Sequence, residues 1–155
     1  MKVITAPNPL QIKSQSIFLA GSIEQDRAAR WQDEVIEKLK DYPCTILNPR
    51  RANWDASLEQ KIENPQFNEQ VTWELDALEM ADVILLYFDP NTKSPISLLE
   101  LGLFAKSGKL IVCCPEGFWR KGNVDIICKR YGIEEVEKLK EAVEVVLEKM
   151  NWRNS

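Results

Sequence analysis

The chain has 155 residues, 45% apolar and 28% charged, with a formal net charge of −4. That length and balance suit a globular protein able to bury a real core, so residues 1–155 are expected to form one domain, with 1–15 an irregular lead-in interrupted by Pro7 and Pro9. A net negative charge without a basic stripe argues against nucleic acid or an acidic membrane surface as partner and leaves small molecules open.

No run reaches the roughly 18 apolar residues of a bilayer span, and the start lacks a signal-peptide core, so a cytoplasmic location is the default expectation. Histidine is absent. Histidine triads and histidine metal sites are thereby excluded, and acid–base work falls to carboxylates, Tyr, Lys or Cys. Cys44, Cys113, Cys114 and Cys128 match neither a disulfide framework nor zinc spacing, and read as small buried hydrophobes.

In chain order, Ser16 to Ala20 is a first strand ended by Gly21-Ser22. Asp26 is expected to cap a helix with Ala29, Trp31, Val35, Ile36 and Leu39 on one face and Glu34–Lys38 as an i,i+4 pair. Thr45-Ile46-Leu47 makes a second strand, left through Asn48-Pro49-Arg50-Arg51. Residues 52–66 read as a loop or broken helix, and a helical pattern runs from Phe67 through Val71, Leu75 and Leu78 to Met80. Val83 to Phe88 is short and apolar, the signature of a strand buried on both faces. A polar loop over 89–95 leads into an apolar helix over 96–106, stopped by Ser107-Gly108. A fourth strand spans 109–114, a loop or edge segment 118–123, a short helix 124–131 and an amphipathic helix 133–150. Strands alternating with helices predict a parallel sheet covered on both faces.

In such a sheet the carboxyl ends of the strands share one edge, where ligands bind. Converging there are Gly21-Ser22, the 48–51 segment, the 89–95 loop and the 115–123 loop. Glu100 stands among Leu98, Leu99, Leu101 and Leu103. It is either a glutamate that complements the helix dipole and faces water, or a carboxylate held in a ligand pocket. Glu74 lies two turns before the central strand, facing either ligand or solvent. Asp82, at the strand's opposite end, reads as structural. Trp54, Phe118 and Trp119 offer stacking surfaces for a flat ring. Arg50, Arg51, Arg120 and Lys121 are either phosphate ligands or solvated loop charges. Neither GxGxxG nor GxxxxGK[ST] is present, which disfavours a dinucleotide site.

The segments IFLAGSIE (17–24), QVTWELDALEMADVILLYFDP (70–90), SLLELG (97–102) and GKLIVCCPEGFWRKGNVD (108–125) resemble the nucleoside 2-deoxyribosyltransferase family, in its short bacterial and phage-type branch. The resemblance implies a flavodoxin-like three-layer α/β sandwich with a mostly parallel sheet. It implies an enzyme that cleaves the N-glycosidic bond of 2'-deoxynucleosides through a covalent deoxyribosyl-glutamate, with no cofactor or metal. By motif Glu100 is the nucleophile and Glu74 the acid that handles the base. Gly21, Ser22, Asn48, Ser94 and Asn123 become substrate contacts. Where transferases typically carry Asp, six residues before the nucleophile, this chain has Ser94, as in relatives that hydrolyse deoxynucleoside 5'-monophosphates. Transfer, hydrolysis of a monophosphate, and a non-catalytic nucleotide-binding module are the three functional expectations. The family resemblance also implies a homo-oligomer.

Overall fold

The computed structural model describes residues 1–23, 30–51 and 57–151. Within them β1 (Lys2–Thr5), β2 (Gln15–Gly21), β3 (Cys44–Asn48), β4 (Val83–Tyr87), β5 (Leu110–Cys113) and β6 (Glu134–Val136) form a single sheet, in the order β1-β3-β2-β4-β5-β6. Every pairing is parallel. The helices are α1 (Trp31–Leu39), α2 (Pro65–Met80), α3 (Pro95–Phe104), α4 (Lys121–Tyr131) and α5 (Leu139–Lys149). With the edge strand β1 set aside, the order is that of flavodoxin, and the chain changes direction across the sheet between β2 and β4. The expected three-layer architecture is what forms.

Strand periodicity explains the two cores. Along β4, Ile84 and Leu86 face one side with Phe18, Leu47, Val112, Trp73, Ala77 and Leu101. Val83 and Leu85 face the other with Ile17, Leu19, Ile46, Trp31, Val35 and Val146. Thus α2, α3 and α4 cover one face, and α1 and α5 the opposite one. Each fully buried Leu, Ile or Val contributes about 2 kcal/mol. All four cysteines are buried and unpaired, as small core residues.

Four departures from the sequence expectations have local causes. Lys2–Thr5 is a strand within the expected irregular lead-in, pairing with β3 and burying only Ile4. Residues 134–136 are a strand, so the last helix begins at Leu139 and not at 133. Apolar residues spaced by three fit a helix, but β5 would then expose a row of unpaired backbone groups, and β6 satisfies them. The helix α4 starts at Lys121, taking in Asn123. The helix α2 starts at Pro65, inside the expected loop or broken helix over 52–66 and ahead of Phe67, behind an Asn64 whose Oδ1 accepts from the Gln66 and Phe67 amides at 3.1 Å. Asp26 and Ala29 lie outside the described residues. The Lys38–Glu34 pair forms, at 3.9 Å.

Candidate active site

Gly21 ends β2 at φ +140, where an added Cβ would sit 2.2 Å from the Tyr87 carbonyl oxygen. Its lack of a side chain lets β2 lie flush against the end of β4, so its first role is backbone contact. Ser22 follows directly: its amide donates to Tyr87 O at 3.0 Å, and its Oγ accepts from the Asp89 amide at 2.8 Å. The indole of Trp31 donates to Ser22 O at 3.0 Å. The loops after β2 and β4 are thereby tied together at the switch point.

Three hydroxyls meet there. Ser22 Oγ lies 2.5 Å from Ser94 Oγ, and Thr92 Oγ1 lies 2.7 Å from Ser94 Oγ and 3.0 Å from Ser22 Oγ. All three residues are buried. Ser94 adopts φ 48, ψ 55, left-handed for a residue that is not glycine. Such a conformation costs about 1–3 kcal/mol and persists only where surroundings enforce it. It aims the Ser94 hydroxyl into the cluster at the N-terminus of α3, whose first amides and dipole favour an anion.

The helix α3 is turned against its own polarity. Its buried residues are Ser97, Glu100 and Leu101, one face at i, i+3, i+4. Ile96, Leu99 and Leu103 are instead 59%, 60% and 58% exposed. Glu100 is only 9% exposed, so the water-facing reading of this carboxylate fails. Burial first, and then the neighbouring negative charge of Glu74, push its pKa up to about 8. An α-helix that exposes leucines and buries its glutamate is not arranged for the stability of a lone chain.

Glu74 comes from α2. Burial raises its pKa, opposed by the hydrogen bond from Gln70 and by the charge of Arg51. Gln70, one turn earlier on the same face, donates through Nε2 to Glu74 Oε1 at 2.9 Å and to Pro49 O at 3.0 Å. Its Oε1 accepts from Arg51 Nε at 2.5 Å, while Arg51 Nη2 meets Glu69 at 3.3 Å. Gln70 was not among the sequence candidates, and only its i,i+4 spacing from Glu74 signals it. Thr92 was missed for want of any motif.

Asn48, the last residue of β3, is buried, and its Oδ1 accepts from the Arg50 amide at 3.0 Å, turning the chain out of the sheet. Arg50 is buried as well, with Nη1 donating to Gln32 Oε1 at 3.0 Å, so it is no solvated loop charge. Phe118 packs against Phe88 at 4.8 Å between ring centroids and is core, not a free stacking surface. Trp119 remains half exposed, flanked by Lys93 at 4.4 Å and Arg120 at 4.5 Å from the ring. Asn123 is exposed on the first turn of α4, outside the hydroxyl cluster. Trp54 lies outside the described residues. Asp82 accepts from the Ser16 amide at 2.8 Å at the far end of the sheet, a structural tie as expected. A shallow depression of about 400 Å³ between residues 7–10 and α2 includes Trp73, Asp76 and Glu79 and none of the candidate residues.

A flavodoxin-order sheet with a hydroxyl cluster at its switch point, and with Glu74 close enough to Glu100 to raise its pKa, defines a doubly wound α/β protein. Within that class the chain belongs to the nucleoside 2-deoxyribosyltransferase like family, whose model matches residues 14–118. A crystal structure of a conserved protein from Enterococcus faecalis V583 is similar in fold, with a TM-score of 0.61 at 13% identity, covering 88% of this chain and 99% of that one. No curated protein gives a significant match. Among the described residues no helix is long and apolar enough to cross a membrane.

Proposed function

We propose that this protein cleaves the N-glycosidic bond of a 2'-deoxynucleoside or its 5'-monophosphate, with Glu100 as nucleophile and Glu74 as proton donor. The observation that carries the reading is the buried Glu100, on the inward face of a helix that leaves leucines outside. A Glu100 carboxylate oxygen attacks C1', the C1'–N bond breaks, and its electron pair leaves on the base nitrogen, which takes the Glu74 proton. The covalent sugar ester is then attacked at C1' by a second base or by water. The Glu100 carboxylate leaves, and Glu74 recovers a proton from the attacking group. No cofactor is needed for these steps. Ser22, Asn48 and Ser94 with the Gly21 backbone are proposed to hold the substrate, and Asn123 to reach it only from the rim.

Hydrolysis of a monophosphate is the second reading, supported by Ser94 in its left-handed conformation with Ser22 and Thr92 at the start of α3. Incubation with a deoxynucleoside, its 5'-monophosphate and a second free base separates the alternatives. Exchange of bases supports transfer, and free deoxyribose phosphate supports hydrolysis. Binding without turnover, unaltered by Glu100→Gln, would mark a non-catalytic module. A homo-oligomer belongs to the same proposal, supported by the exposed Ile96, Leu99 and Leu103 on the helix that carries Glu100. A cytoplasmic location also belongs to it, since four unpaired buried cysteines suit a reducing compartment.

A further inference from the structure

We propose that Gln70 is a positioning residue that keeps Glu74 as the unprotonated member of the glutamate pair in the empty site, so that the shared proton rests on Glu100 until a ligand is seated. The inference builds on the roles proposed for Glu100 and Glu74. Its ground is the geometry of one amide. Gln70 Nε2 reaches two acceptors, Pro49 O and Glu74 Oε1, while its Oε1 faces the Arg51 Nε–H donor. Turned over, the amide would set its carbonyl against two oxygens and its NH2 against a donor, so only one orientation satisfies all three contacts. Glu74 Oε1 is therefore held as an acceptor, and a donated hydrogen bond favours the charged form of a carboxyl.

The charged groups around the pair are Arg51 and Glu69 beside Glu74, and Glu74 itself beside Glu100. Burial raises the proton affinity of Glu74, and the hydrogen bond from Gln70 and the charge of Arg51, from the segment after β3, oppose that rise. Glu69 on α2 engages Arg51 at 3.3 Å and moderates that cation. Glu100 on α3 meets burial and the charge of Glu74, both of which favour its protonated form. The resting arrangement is thus the reverse of the one that chemistry needs, with Glu74 protonated and Glu100 ionised. A base seated against Glu74 must draw the pair into the productive arrangement, the number of protons on the two carboxyls staying the same. The productive state is a minor one in the empty enzyme, and ligand selects it. A bare nucleophile is in this way withheld until a substrate is present to receive it.

The test is a carboxyl NMR titration of the full chain without ligand, with the glutamate side chains carbon-13 labelled and assigned by Glu74→Gln and Glu100→Gln. In the wild type Glu74 is expected to lose its proton first and Glu100 last. In Gln70→Leu the Glu74 midpoint moves up by about one pH unit, a tenfold gain in proton affinity, and in Gln70→Glu it moves further through a like charge. The acid limb of kcat/KM moves with it in both variants, which a merely structural role for Gln70 would not produce. Wild-type protein in which Glu100 titrates below Glu74 overturns the inference whatever the variants do, as does an unmoved Glu74 midpoint in a folded Gln70 variant. The titration needs no substrate. Absence of turnover on every nucleoside would therefore sink the proposed activity while leaving this result to stand by itself.

Discussion

At the scale of single residues, Glu100 trades stability for reactivity. Its pKa is about 8 in the folded chain against 4.5 for the ordinary carboxyl. Between those values the unfolded chain is ionised while the native chain holds the proton, so stability is greatest below about pH 4.5 and falls as pH rises toward 8. Glu100→Gln, which removes the charge and keeps the shape, should abolish turnover and raise stability on the order of 2 kcal/mol near neutral pH. Urea unfolding at pH 4.5 and 7.5 checks the sign: the variant should gain at the higher pH and little at the lower. For the wild type, kcat/KM should rise as the glutamate pair gives up its first proton and fall toward pH 8 as the last one, held by Glu100, is lost, since that ratio reports groups of the free enzyme. Ser94 decides the substrate's charge. Ser94→Asp should set a carboxylate at the start of α3, cut turnover of a 5'-monophosphate at least about tenfold by repulsion, and spare the uncharged nucleoside. Parallel assays on the two substrates measure that shift.

At the scale of elements, α2 and α3 do opposite things with their surfaces. The start of α2 is fixed by Asn64 and Pro65, and Asn64→Ala should cost about 1 kcal/mol in chemical denaturation by orphaning two amides. On α3 the exposed Ile96, Leu99 and Leu103 are proposed to face a second copy. Leu99→Glu with Leu103→Glu should lower the mass in solution measured by light scattering without unfolding the chain, since neither side chain is in the core. An unchanged mass would show that this face serves no such contact. The elements also differ in how far they could be read from sequence. The run VILLY and the apolar helix α3 were legible, although α3 ends at Phe104, short of the expected stop at Ser107-Gly108, because a buried parallel strand and an apolar helix carry their signals locally. The strand β6 was not, because three residues with two glutamates have no strand signal, and the unpaired edge of β5 that recruits them exists only after folding. Glu100 stands out as a charge within an apolar helix, whereas Glu74 is singled out only by the family resemblance. Gln70 and Thr92 do not stand out, since a polar side chain among polar neighbours shows its role only through its hydrogen-bond partners.

At the scale of the whole molecule, the sheet order is what brings the pieces together. The chain leaves β2 toward one edge of the sheet and resumes in β4 on the other side, and the segments after these two strands meet through Ser22, Tyr87 and Asp89. Gly21 permits that seam. Gly21→Ala would drive a methyl group into the Tyr87 backbone, and should cost about 3 kcal/mol or more, read as a lowered Tm together with loss of any ligand binding. Ser22 and Ser94 lie 72 positions apart in sequence and meet only through this topology. The end of the first strand points to Ser22 and the family resemblance to Ser94, but the contact between them is a property of the fold. The central claim is that Glu100 forms a bond to a sugar carbon, and intact-mass analysis tests it most directly. After exposure to a 2'-fluoro-arabino nucleoside, or its 5'-monophosphate, the protein should gain the mass of one fluorinated sugar moiety, mapped by peptide fragmentation to Glu100 and absent in Glu100→Gln. An adduct on another residue, or turnover of the natural substrate with no dependence on Glu100, would contradict the account.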